Sequence, residues 1–219
     1  MALDPEHRLI VGAVVGKRTD NNARQLVHEV HERTDGRFLN LITSDEHASY
    51  ATAIAEVYAE AQPSARGTPA PGRLPKELVY ATVHKTRAGN RVVKVEARLV
   101  FGTLRNLAAA LCWAVLALVN TVFVERSNGT DRLRNSRKVR KTYRFSKDWG
   151  VHQALSYFTL YSSNFCWTVR TLQVEMAPRR YRQRTPALAA GLAEHVWSLE
   201  EWLLFPSSKR HQLPPWSPR

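Results

Sequence analysis

Glu125 is followed, before Gly150, by nine lysines and arginines against two aspartates, Asp131 and Asp148. A carboxylate repels a polyanionic backbone unless a cation stands between them. An acid flanked by so many cations therefore suits a metal-assisted phosphodiester site better than a plain anion-binding patch. Mg²⁺, or Mn²⁺ in its place, is the hard, oxygen-liganded ion for such chemistry. Two of them, about 3.5–4 Å apart, clamp the attacking and leaving oxygens of a displacement at phosphorus. Arg126, Asn128, Arg132, Arg134, Arg137, Lys138, Arg140, Lys141 and Lys147 are the candidates to hold a DNA backbone. Helical geometry spreads them around an axis, so only some of them face one groove. Phosphate contacts of this kind position a duplex without reading its sequence.

Asp45 is the second acid in a suggestive place, at the C-terminal end of a predicted strand, where sites form in α/β sheets. Taken alone, an Asp after a strand is more often a helix cap. The histidines show no HxxxH or HExxH spacing, which speaks against zinc. His152 could touch a scissile phosphate, although a packed helical histidine explains it equally well. Cys112 and Cys166 lie in apolar or aromatic surroundings without CxxC spacing and read as free thiols of a reducing compartment.

The elements that must carry these residues follow from periodicity. Arg8–Val15 is β-branched and reads as a strand. A helix then opens at Thr19 or Asp20, with Ala23, Leu26, Val27 and Val30 at helical spacing through Arg33. Phe38–Thr43 is a second strand, and Ala48–Ala61 a second helix with Ile54, Val57 and Tyr58 on its apolar side. Residues 62–76 hold four prolines and two glycines and form a linker or exposed loop. Leu78–His84 and Arg91–Val100 alternate as a hairpin around residues 87–90. Leu107–Val119 is an apolar run of 13 residues. It falls short of the ~20 that a membrane span needs, and reads as a buried core helix capped by Thr103, followed by a short strand at 121–124. A long helix begins near Glu125 and another covers about Trp149–Phe165. Thr185–Ser198 reads as an amphipathic helix opened by Thr-Pro, Leu199–Phe205 as a short helix, and the Pro-rich end as frayed.

At 219 residues the chain has room for one well-buried domain plus appendages. Its 32 basic and 19 acidic residues give a net charge of +13, concentrated at 124–148 and 170–184. Blocks of this kind favour a polyanionic partner, with double-stranded DNA first. Residues 1–7 lack the basic and apolar regions of a secretory signal, so a cytoplasmic place is expected, without membrane attachment.

Several of these segments resemble the DDE transposases of the IS1-like insertion-sequence group. The most specific is Val124-Glu125-Arg126 with Asn128-Gly129-Thr130 and Arg132, leading into Arg140-Lys141-Thr142 and Phe145-Ser146-Lys147. The run Thr43-Ser44-Asp45-Glu46-His47-Ala48-Ser49-Tyr50 looks like a variant of that group's T-D-G-x-x-x-Y, with Glu46 replacing glycine. Supporting stretches are Val15–Arg24, Leu78–Lys85, Tyr161–Leu172 and Thr185–Leu203.

The resemblance implies an α/β, ribonuclease-H-like core (1–176) with 62–76 as linker and 77–101 as an inserted β-hairpin, then a helical C-terminal tail (177–219). It implies that Asp45 and Glu125 are catalytic Mg²⁺ ligands of a two-metal site, with His152 as a possible auxiliary. It also implies strand cutting and joining of transposon ends by a homo-oligomer. Residues 2–11 correspond to the end of the second strand and the turn into the third. The strand bearing the group's first Asp would precede them, so the chain reads as the C-terminal part of such a core, impaired in catalysis. Asp4-Pro5 in that place reads as turn chemistry. A catalytically inactive DNA-binding remnant and a cellular ribonuclease-H-like nuclease remain open beside this reading.

Overall fold

The computed structural model describes residues 1–37, 39–62, 70–139, 141 and 143–206. Two compact units divide the chain at Leu160/Tyr161, where the sequence placed a boundary after residue 176.

The first unit opens with a small antiparallel hairpin, β1 (Ala2–Asp4) and β2 (Leu9–Gly12). Asp4 makes its turn: Oδ1 accepts from the Glu6 amide at 2.8 Å and Oδ2 pairs with His7 Nδ1 at 2.6 Å. This strand pair is shorter than the expected Arg8–Val15 strand. Helix α1 (Asp20–Arg33) starts where the sequence indicated, with Thr19 Oγ1 accepting from the Asn22 amide, and it buries Ala23, Leu26, Val27 and Val30. Strand β3 is Ile42–Asp45, later than the expected Phe38–Thr43, and Phe38 lies outside the described residues. Helix α2 (Ala48–Tyr58) stops short of Ala61 because Ala59 turns extended. Strands β4 (Glu60–Gln62) and β5 (Ala70–Arg73) then pair antiparallel at the two described ends of the proline-rich segment.

Strand β6 (Tyr80–Ala88) and β7 (Arg91–Phe101) form a long hairpin closed by Gly89-Asn90, with Gly89 at φ +58°. The hairpin belongs to the core instead of being an insertion in it. Strand β6 lies parallel to β3 and antiparallel to β7, giving the order β3-β6-β7. Among the described residues β3 pairs with β6 alone, and β1–β2 is a separate two-stranded sheet.

Alternation fixes the two faces of the three-stranded sheet. Tyr80 packs with Val27, Ala53, Ile54, Tyr58 and Leu78, the buried cluster that seats α2 and α1 on one face. His31 meets Tyr58 edge-on at 5.1 Å, and Tyr80 lies 5.7 Å from Phe101.

Helix α3 (Leu104–Trp113) is capped by Thr103 as expected, but it buries none of its residues. Trp113 is 90% exposed and Leu118 73%. The run 107–119 is therefore not the expected core helix: an alanine-rich stretch favours helix by propensity alone, and the chain leaves the helix at Ala114. Nor is 121–124 a strand, since α4 (Val122–Arg134) already covers it. Among the described residues no helix is long and apolar enough to cross a membrane. Helix α5 (Trp149–Cys166) completes the first unit and enters the second.

The second unit holds β8 (Val174–Ala177) and β9 (Arg180–Arg182), an antiparallel hairpin that straddles the start, at residue 177, of the tail expected to be helical, then α6 (Pro186–Ala189) and α7 (Leu199–Leu204). Thr185 caps α6 and Pro186 occupies its first turn, but Gly191 takes φ +73° and ends it. Of the expected Thr185–Ser198 helix only the turn Pro186–Ala189 forms, whereas the short helix expected at Leu199–Phe205 is present as α7, capped by Ser198. The frayed end expected at 214–218 lies outside the described residues.

Candidate nucleic-acid interface

Asp45 closes β3 and Glu125 sits in the first turn of α4. The register Thr43↔Ala81 and Asp45↔Val83 puts Thr43, Asp45, Val83 and, two residues on, Lys85 on one face of the β3–β6 pair. Two bonds bring α4 to that same face. Thr43 Oγ1 donates to the Asn120 carbonyl at 3.2 Å, and Lys85 Nζ donates to Glu125 Oε1. The opposite face carries Ser44, whose hydroxyl bonds the Tyr80 phenol at 2.7 Å.

Each acid is already matched by a cation. Arg18 donates to Asp45 Oδ2, and Lys85 pairs with Glu125. The Lys85 bond, reinforced by the Thr121 hydroxyl at 2.7 Å, holds the Glu125 carboxyl below the usual carboxylate range. Tyr50 stands beside Asp45: burial first, then the Asp45 charge, pushes its phenol up. Glu46, in the place of the resembled glycine, is bonded by His84 and by Arg98 at 2.9 Å.

A pair of Mg²⁺ ions needs several hard oxygen donors converging on one point. Among the described residues no three His, Cys, Asp or Glu side chains come together as a metal-holding group. With Asp45 and Glu125 each engaged by a cation, these residues do not fit the two-metal centre by themselves.

The basic residues divide by environment. Arg126 and Arg132 are exposed on α4, while Asn128 is half-buried there. Arg126 approaches Arg8, whose guanidinium stacks 3.7 Å above the Phe123 ring and anchors α4 to the β1–β2 turn. Ser127 and Met1 also meet, at 3.9 Å between Oγ and Sδ. Burial pulls the Arg134 guanidinium below its ordinary range. Lys138 is matched within the chain. It makes a 2.6 Å ion pair with Asp131, with side chains 17% and 12% exposed, and Asp131 also accepts from Thr159 on α5 at 3.0 Å. Lys138 thus ties the segment after α4 back onto α4, while Asp131 carries the link to α5. Arg137, Lys141 and Lys147 are exposed; Arg140 lies outside the described residues.

His152 stacks on Trp149 at 5.5 Å and bonds Ser146 Oγ at 3.0 Å. Both contacts belong to the entry of α5, and neither involves Asp45 or Glu125.

Comparison of the chain with protein-family models, curated proteins and solved structures gives no match. Arg18 and Lys85, the partners of the two acids, were not singled out from sequence. Both lie inside segments that support the resemblance, but no local pattern announces pairing across 27 or 40 residues. A groove of about 690 Å³ runs between residues 73–78 and the β7–α3 corner, and no candidate site residue lines it.

Proposed function

We propose that the protein acts in DNA transposition, in the manner of the IS1-like DDE transposases its sequence resembles, and that its own described residues do the DNA-holding part. The observation that carries this reading is the common face of β3 and β6. That face carries Asp45 and Lys85, Lys85 binds Glu125, and α4 leads from Glu125 into the exposed cations Arg126 and Arg132. Duplex DNA laid along α4 would be gripped through its phosphates, with salt-sensitive and sequence-tolerant affinity.

The ion pairs Arg18–Asp45 and Lys85–Glu125 favour the non-cutting form of this reading for the chain as described. Two carboxylates already neutralised in pairs resist a nearby phosphodiester less than bare acids would, and they leave the backbone bound instead of broken. Cutting and joining of ends in a homo-oligomer, with Mg²⁺ supplying the Lewis acid, requires further oxygen donors at this face. The cytoplasm is the compartment this reading supposes.

Incubating the purified chain with labelled duplex DNA in Mg²⁺ separates the forms. Retention without nicking is the expected result. Nicking that disappears in Glu125→Gln would instead make the chain a working nuclease or transferase. Failure to retain any duplex at low salt would sink the proposal.

A further inference from the structure

The β8–β9 hairpin does nothing visible for the packing of its own unit. All seven residues of its two strands are exposed, on both faces. A lone two-stranded ribbon in water is marginally stable, so one that buries so little, with Val174 still 38% and Tyr181 50% exposed, invites an outside partner. Its surroundings are chemically one-sided. Residues 170–184 contain five arginines, no lysine and one acid, Glu175. Among the described residues none of the five guanidinium groups forms an ion pair, although the Arg179 amide donates to Glu175 Oε1 at 3.1 Å. Arg184 and Arg182 spend bonds on the carbonyls of Leu172 and Glu194, whereas the side chains of Arg179 and Arg180 make no hydrogen bond to any described residue.

The turn adds an independent observation. Pro178 and Arg179 join the pair Ala177↔Arg180, and Arg179 sits at φ +61°. Proline followed by a residue at positive φ is the type II pattern, whose second central position belongs to glycine. An arginine there carries strain that glycine would not. Holding a long cationic side chain at the tip of an exposed ribbon, against the local preference, points to use of the charge.

We propose that the β8–β9 ribbon is a second duplex-DNA contact, with Arg179 and Arg180 on phosphates. The groove geometry suits it: the major groove, about 12 Å wide, admits a two-stranded ribbon. Arginine, always charged and forked, fits phosphate oxygens better than lysine. This inference rests on the reading of the chain as DNA-binding, but on neither Asp45 nor Glu125.

The test is fluorescence anisotropy of a random-sequence duplex over a salt series. It compares the native chain, Arg179→Gly/Arg180→Gln, Arg179→Lys/Arg180→Lys and the α4 pair Arg126→Ala/Arg132→Ala. The Gly/Gln variant removes two side chains without structural bonds and relieves the turn, so its melting temperature should hold or rise. Its affinity should fall several-fold, with the slope of log K against log salt reduced by about 2, roughly one per phosphate contact. The lysine pair should keep the native slope. Native affinity and slope in the Gly/Gln variant, with binding weakened in the α4 pair, would overturn the ribbon contact and leave the DNA reading standing. Binding lost only in the ribbon variant would support this inference and remove α4 from the interface. A native chain that does not bind duplex, or whose ribbon binds polyglutamate in preference, would overturn the inference along with the DNA reading.

Discussion

Lys85 Nζ on β6 donates to Glu125 Oε1 on α4, so the candidate catalytic acid is tied to the sheet by a cation from the sheet itself. The hydrogen bond lowers the Glu125 pKa. In Lys85→Met, carboxyl NMR should show Glu125 titrating higher, back toward about 4.3. Because the folded value is depressed, the stability this pair contributes is present above about pH 4.3 and is lost as pH falls through the folded value. Glu125 is 55% exposed, and solvent screening keeps the contribution below about 1 kcal/mol. A Glu125 titration indifferent to Lys85 would show that the pair does not form.

Lys138 and Arg132 should part company on mutation. Lys138→Met strands Asp131 in a nearly closed site between α4 and α5, and should cost about 3 kcal/mol in urea unfolding. It should leave the salt dependence of duplex binding unchanged. Arg132→Ala should do the reverse. A Lys138 variant of native stability and flattened salt slope would restore this lysine to the DNA interface.

The small core of the first unit makes Ile54 disproportionately important. It is 1% exposed among Val27, Tyr58 and Tyr80. Ile54→Ala should lower stability by about 2–5 kcal/mol, read as a shift in the urea midpoint at unchanged m-value. A cost under about 1 kcal/mol would mean that α2 is not held on the sheet by this contact.

Trp113, 90% exposed at the end of α3, gives an optical test of the apolar run. Trp113→Phe should remove a red-shifted, iodide-quenchable part of the tryptophan emission, with little change in stability. If the lost emission is blue and unquenched, something covers this helix in solution, and the exposed face is an interface.

Local chemistry made α1 readable, since Thr19, Asp20 and four apolar residues at helical spacing say the same thing. The β6–β7 hairpin was readable for the same reason, through alternation about Gly89-Asn90. Placing Asp45 at a strand end and Glu125 near the start of a helix was equally local. What the sequence hid was long-range. Nothing near Lys85 says that it meets Glu125, and nothing in 77–101 distinguishes an inserted hairpin from one whose first strand is the middle of the sheet. Apolar composition suggested burial for 107–119, yet burial depends on what the rest of the chain brings alongside. The β8–β9 ribbon was masked by its charge: arginines at 179, 180 and 182 break the apolar alternation by which strands are recognised.

The parallel contact of β3 with β6 sets the order in which the interface is assembled. Strands β6 and β7 are joined by a two-residue turn and can zip within microseconds. The Ile42–Asp45 strand must find β6 across all of α2 and the proline-rich segment, and such non-local closure is slow. Loop closure therefore predicts that Asp45 joins the face after Lys85 is in place. Changes in the length of the 62–76 segment should act on how fast Asp45 is brought to that face, and far less on where it finally stands.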